Sequence, residues 1–300
     1  MKTILHWIFI PICTLFLCMS AHASTGTYSM SFVELISTTK AEALSNCVTA
    51  LAKKEAIFVN PSAISANKNF MLSAQLFNYV EGIQYKQFRI IKPLGAGNIA
   101  LSYTFLDYGK DYITTISDKQ GGSSGSIENK SESLHLTYAK TVKKFNVGIS
   151  TKYIQDKLYS YKADQIALDI GVQYFLNSSF SIGASSTNIS LTKAKYLTET
   201  AHMRRIDRLG IHYKPQIFNR NISFLVDIMS LNGDSLEFAL GSSFRLHKKL
   251  SVFLGKQSMA DLYDVSLGVS YHSNAFELDF SYKPNNIFEN TYRVGLTVGI

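Results

Sequence analysis

The sequence predicts an all-β fold, a transmembrane antiparallel up-and-down β-barrel of about fourteen strands with a short N-terminal hatch segment. Three observations predict it. One phrase, an apolar residue, a glycine and then alternation, recurs at Gly148, Gly171, Gly183, Gly210, Gly241, Gly255, Gly268 and Gly295. The gaps fall near roughly 13 residues or about twice that, which is one or two strand-plus-turn units. Composition is the second observation: 46% of residues are hydrophobic, with 17 Tyr and 19 Phe. Beyond the N-terminus no apolar run is long enough for a transmembrane helix, so a membrane protein of this composition has to satisfy its backbone in a closed barrel. The third is that short and long connections alternate along the chain, as they do on the two rims of outer-membrane barrels.

Residues 1–23 read as a cleaved secretory signal. Lys2 supplies the positive end, Ile4 to Leu17 the apolar stretch, and Ala21 and Ala23 the small residues before cleavage, so the mature chain begins at Ser24. Of three cysteines, Cys13 and Cys18 leave with the signal, so Cys47 has no partner for an intrachain disulfide.

Residues 24–69 do not follow the strand pattern and form the hatch or periplasmic segment. Ala41 to Ala56 reads as an amphipathic helix with Leu44, Cys47, Val48 and Leu51 on one stripe. Phe58, Asn60 and Pro61 form the hatch turn: Pro61 restricts Asn60 to extended conformations, and the Asn side chain folds back on nearby backbone donors. The sequence leaves open whether the segment plugs a lumen or lies against the periplasmic mouth.

Residues 70–300 form the barrel. Alternation and breakers place strands near 70–78, 82–91, 97–106, 133–140, 145–154, 164–175, 180–188, 204–213, 221–229, 235–244, 250–257, 264–271, 276–282 and 291–300. Short basic turns around Lys143 and Lys144, Asn177 to Ser179, Lys248 and Lys249, and Ser273 face one side; long loops at 107–132, 155–163, 189–202 and 283–290 face the other. Ile99, Leu101, Tyr103 and Phe105 line an outer face, while Asn98, Ala100, Ser102 and Thr104 line the inner one. Alternation alone also fits a soluble β-protein with an apolar core; uniform strand length, rim parity and the scarcity of Lys and Glu on the polar faces favour the membrane wall. The recurrent glycines read as relief of crowding where the wall bends.

The net charge of +8 comes from scattered Lys and Arg, not from a stripe interleaved with aromatics, which argues against nucleic acid and for phosphate-bearing lipid headgroups as a partner. His135, His202, His212, His247 and His272 fall in no nucleophile or metal motif. The expectation is no enzyme, with no catalytic residue, metal or cofactor. Arg208, Arg293, Asp169, Glu237, Glu277 and Asp279 point inward and either line an open diffusion pore or pair and close it.

Ala50, Leu51 and Ala52, followed by the run from Ala56 to Ile64 through Asn60 and Pro61, resemble the opening signature of the PorV/PorQ family of outer-membrane proteins, relatives of the long-chain fatty acid transporter barrels. Lys92 to Gly97 and the run Ala100 to Gly109 are similar to that family's next stretch. The chain departs from the pattern at Lys53 and Lys54, where the family is acidic, and at Ser62 and Ala63, where it has Ala-Gly. The resemblance implies a location in the cell outer membrane. It also implies either passage of hydrophobic, fatty acid-like molecules or service to secretion-system proteins, with a non-transporting adaptor as the alternative.

Overall fold

Alternating sequences close on themselves. In the computed structural model, fourteen antiparallel strands form a closed barrel in which the first pairs with the last. The structure describes residues 28–299 except 80–81, 122, 124, 197–198, 216–220, 233–234, 259–262 and 285–288, so the expected signal at 1–23 and its cleavage before Ser24 lie outside the described residues. The barrel strands are β1 (Met71–Asn78), β2 (Gln84–Leu94), β3 (Gly97–Tyr112), β4 (Ser126–Val142), β5 (Phe145–Leu158), β6 (Tyr161–Phe175) and β7 (Phe180–Ser190). After a small hairpin, β8 (Ala194–Tyr196) and β9 (Glu199–Ala201), the wall continues with β10 (Ile206–Tyr213), β11 (Ile222–Leu231), β12 (Ser235–His247), β13 (Leu250–Ser258), β14 (Tyr263–His272), β15 (Phe276–Lys283) and β16 (Thr291–Gly299).

The two faces of the wall separate as the alternation requires. Leu101, Ile149, Ile170, Leu240, Leu267, Leu278 and Leu296 stand exposed on the outside, and their neighbours Ser102, Ser150, Asp169, Ala239, Ser266, Asp279 and Gly295 turn inward. An outer belt of Leu, Ile, Val, Phe and Tyr is what a barrel presents to hydrocarbon.

Two expected loops are shortened because their strands run further. Between Asp107 and Glu132 the pairing continues, with Lys110 opposite Glu128 and Tyr112 opposite Ser126, around an irregularity where Gly109 takes φ 86°. Residues 155–163 reduce to a tight turn at Tyr159 and Ser160. These extensions are polar on both sides, so they carry no apolar period for the sequence to display. The 214–221 connection between β10 and β11, by contrast, is a longer one on the short-turn rim.

The segment before β1 lies inside the barrel. Ser29 N–H donates to His202 O at 2.9 Å, and Asn232 Nδ2 donates to the Tyr28 hydroxyl, fixing the start of the described chain at the long-loop rim. Met30, Phe32, Val33 and Ile36 then pack with Phe77, Tyr85, Leu106, Ile154 and Met203 in the upper lumen. The expected helix over Ala41 to Ala56 is not formed: α1 spans only Thr39–Ala43, capped by the Thr38 hydroxyl, which accepts from Ala41 N. Ser45 (φ 51°) and Asn46 (φ 55°) turn the chain out of the helix, an αL geometry that Asn tolerates. The apolar stripe is nevertheless buried: Leu44, Cys47, Val48 and Leu51 form a core with Leu225, Met229 and Ala239 of the wall.

Candidate functional site: the plugged lumen

Residues 39–65 wind around the inner wall in the reverse order of the strands. Thr39 meets Gly295 on β16, Ala43 meets Gly268 on β14, and Leu44 and Ser45 meet Gly255 on β13. Cys47 lies by Gly241 on β12, Thr49 by Gly210 on β10, Thr49 and Ala50 by Gly183 on β7, Asn60 and Pro61 by Gly171 on β6, and Pro61 and Ser62 by Gly148 on β5. A Cβ on seven of these eight glycines would collide with the plug or an adjacent wall side chain; at Gly241 the contact is tight but not a collision, with Leu44 Cδ2 at 3.3 Å and Cys47 Cβ at 3.4 Å. The strand register carries the belt across the wall: Gly148 opposes Gly171, Gly183 opposes Gly210, Gly241 opposes Gly255, and Gly295 opposes Gln75. Most of the glycine phrases therefore mark where the inner segment lies against the wall, its backbone closest at Gly148, Gly183 and Gly255, an approach that a side chain there would block.

Polar side chains fix the winding. Gln75 Oε1 accepts from Thr39 N at 2.8 Å and from its hydroxyl. The Asp227 carboxylate accepts from Thr49 N at 3.0 Å and Thr49 Oγ1 at 2.7 Å. Asn98 Nδ2 donates to the Ile64 and Ser65 carbonyls, both at 2.7 Å. Each joins a plug backbone group, which has no ladder partner, to a lumen side chain.

The expected hatch turn lies within this contact. Asn60 caps a 3-10 turn over Pro61–Ile64; its side-chain oxygen accepts from Ser62 N, and its Nδ2 donates to Thr49 O at 2.8 Å and Val172 O at 3.2 Å. Pro61 at the first helical position needs no donor there. Phe58 packs edge-on against His135, ring centroids 5.4 Å apart, and under the Arg89 guanidinium.

Charges latch the plug at its lower edge. Lys40 Nζ lies 3.1 Å from Glu55 and 2.8 Å from Glu277; Lys54 Nζ lies 3.2 Å and 2.7 Å from the same two carboxylates. Burial opposes the Lys40 charge, but Glu55, Asp279 and Glu277 outweigh it and hold the ammonium above the usual lysine range. Burial also opposes the Glu55 charge, yet Lys54, Lys40 and Lys53 hold its carboxyl well below the usual carboxylate range. On the wall, Arg293 donates to Leu35 O at 2.9 Å and pairs with Glu42, while Lys152 pairs with Asp169 at 2.7 Å. The inward charges noted in the sequence thus include several that pair within the lumen.

The plug leaves a chamber of about 370 Å3 on the long-loop side, walled by Phe77, Tyr79, Met229, Leu231, Arg208 and Arg293 and floored by Glu42 and Asn46. Sequence reasoning marked Lys54 only as a departure from the family pattern and did not single out Thr49, Lys40 or Glu55. The available signal was a Lys-Lys-Glu run inside an otherwise apolar segment.

His135 is buried beside Ser133 Oγ at 3.1 Å, and the described residues contain no group of three His, Cys, Asp or Glu placed to hold a metal. Cys47 is fully buried; burial pushes its thiol well above the usual range, and its Sγ donates to Ala239 O.

No family profile matches this sequence, and no curated protein matches it. Among solved structures, the chain is similar to the toluene transporter TodX of Pseudomonas putida, with TM-score 0.60 and 11% identity over 87% of this chain and 96% of that one. A deltaS2 mutant of the TodX monoaromatic hydrocarbon channel gives TM-score 0.54 and 12% identity over 82% and 93%. At such identity the likeness is one of fold.

Proposed function

We propose that this protein is an outer-membrane barrel that takes small hydrophobic molecules into the chamber above the plug and releases them inward when the plug shifts. The observation that carries this reading is the chamber itself. Its volume of about 370 Å3 falls in the range of ligand pockets, and its lining sets aliphatic and aromatic side chains, among them Phe77, Tyr79 and Met229, beside a larger number of charged and polar ones that would fix a ligand's orientation. The outer apolar belt and the fold shared with a toluene transporter support the same reading. An open diffusion pore would need the wound segment to leave the lumen.

The likeness of Ala56 to Ile64 to the PorV/PorQ signature favours a second reading, a barrel that serves secretion-system proteins, because those residues build the Asn60 turn in the plug. One purification from outer membranes separates the readings. Under the transport reading, mass spectrometry finds a bound hydrophobic molecule and planar bilayers show no steady current. A stoichiometric protein partner without bound hydrophobe overturns it for the adaptor, and a steady current from intact protein overturns it for the pore.

A further inference from the structure

The charged lining of the chamber does not pair completely. Arg204 lies 3.5 Å from Glu34, while Arg293 and Lys283 lie 3.4 Å and 4.0 Å from Glu42. Two groups of opposite sign remain, Arg208 on β10 and Glu237 on β12. The Glu237 carboxylate accepts from Gln257 Nε2 at 2.9 Å. The Arg208 guanidinium has neither a hydrogen bond nor an ion pair among the described residues, although the residue is only 9% exposed and its Nη1 is fully buried. It reaches both the chamber and a smaller hollow beside Phe58 and His135.

Arg208 lacks an acceptor and not a countercharge. Asp227, Glu237 and Glu34 all act on it electrostatically without bonding to it. Each is already engaged elsewhere: Asp227 accepts from Thr49, Glu237 from Gln257, and Glu34 pairs with Arg204. An anionic ligand on Arg208 would enter a shell of three carboxylates and be repelled by them. A bare hydrocarbon filling the chamber would exclude water from the guanidinium and return nothing, the costly case of a buried donor left without a bond. A neutral molecule with one accessible oxygen avoids both penalties. Apolar surface adjoins the donor, since Met229 stands directly opposite Arg208 in the β10–β11 ladder and Leu231 follows on the same lining.

We infer that the chamber takes a neutral hydrophobic molecule bearing a carbonyl-class oxygen, as in a ketone or an ester. The Arg208 guanidinium donates to that oxygen, and the apolar body lies against Met229, Leu231, Phe77 and Tyr79. This rests on the transport reading and narrows it, because a buried donor satisfied only by the right ligand rejects the analogue that lacks the acceptor.

Acetophenone, α-methylstyrene and benzoate have nearly one shape and differ at the polar end: a carbonyl, a methylidene in its place, and a carboxylate. Calorimetry on the full protein in non-ionic detergent, against empty micelles, is expected to show saturable binding of the ketone. Arg208→Met lowers the ratio of ketone to alkene affinity about tenfold or more, the loss of one hydrogen bond to a charged group. Taking the ratio removes the difference in how readily the two compounds leave water. On the unaltered protein, the carbonyl stretch of bound, isotope-labelled acetophenone falls below its position in hexane, so the test survives a variant that heat-modified electrophoretic mobility shows to be unfolded. An unchanged ratio, or a stretch at the hexane position, overturns the inference and leaves the transport reading standing when both neutral compounds bind. Benzoate binding more tightly than acetophenone overturns it for an anion site. Saturable binding of none of the three overturns the chamber reading together with the inference.

Discussion

On β5, Gly148 and Ile149 are chain neighbours in opposite worlds. Ile149 stands 46% open on the outer surface, whereas a methyl group on Gly148 would overlap Pro61 and Ser62 of the plug. If the outer face meets hydrocarbon, as proposed, it tolerates many shapes but requires apolar ones, because hydrocarbon does not solvate a charge. The inner face accepts Ser, Gln, Asp and Arg but restricts size, because another stretch of backbone occupies the space. Polarity is thus the selective variable on one side of the wall and volume on the other.

The largest effect is expected at the latch, where the inner face adds charge to its size rule. Glu55→Gln leaves Lys40 and Lys54 with Glu277 and Asp279 alone, and loosening of a buried pair costs about 3–5 kcal/mol. Hydrogen exchange over 39–65 should accelerate strongly while the barrel strands stay protected. The same latch has a pH window. Glu55 is depressed, so its contribution is present above the unfolded carboxylate range and is lost as pH falls through its lowered folded value. Lys40 is raised, so its contribution is full below the unfolded lysine range and is lost as pH rises through its folded value. Protease access to the plug, followed against pH, should be lowest between those limits and rise beyond both; a flat profile would break the latch account.

Next comes the polarity rule of the outer face. Ile170→Arg should cost about 2–4 kcal/mol if Ile170 lies near the membrane midplane, measured by denaturant unfolding from lipid vesicles. A negligible cost would mean that the outer belt does not meet hydrocarbon.

The size rule gives a smaller, graded effect. Gly183→Ala pushes against the backbone of Thr49 and Ala50 and should cost about 1–3 kcal/mol of overpacking, read as faster plug exchange. Smallest is Gly241→Ala: its nearest neighbour is the Leu44 methyl at 3.3 Å, which has to yield by a few tenths of an ångström, so a small loss is set against a gain of about 0.4–1 kcal/mol from the stiffer unfolded chain and the net change stays within about 1 kcal/mol. Equal effects at the two glycines would show that the belt is about wall curvature and not plug contact.

Much of the wall was legible because each strand displays its own evidence. The period at Ile166, Leu168 and Ile170 needs no knowledge of any distant residue. The polar extension from Asp107 to Tyr112 was not legible, because above the apolar belt neither face needs to be oily. The plug was half legible. The stripe Leu44, Cys47, Val48 and Leu51 correctly marks burial, but a helical period was assigned where Ser45 and Asn46 turn the chain. The Thr49 contact with Asp227 spans 178 residues, and nothing local to either residue names the other. The glycines were visible, yet their cause lay in a segment upstream of every one of them.

The reversed winding also bears on how the molecule can be assembled. Ser65 touches Asn98, Ser62 lies by Gly148, Ala50 by Gly183, Thr49 by Gly210 and Thr39 by Gly295, so each contact encloses the one before it along the chain. Nested contacts of this kind can form like a zip, since every hairpin added to the growing sheet lays down one more step of the N-terminal segment, and no end has to be threaded through a finished ring. The cost of bringing distant residues together is thereby divided into short closures, each made from the preceding one. The seam between β1 and β16, whose inner side holds Thr39, would then be the last to shut, with its contents already in place.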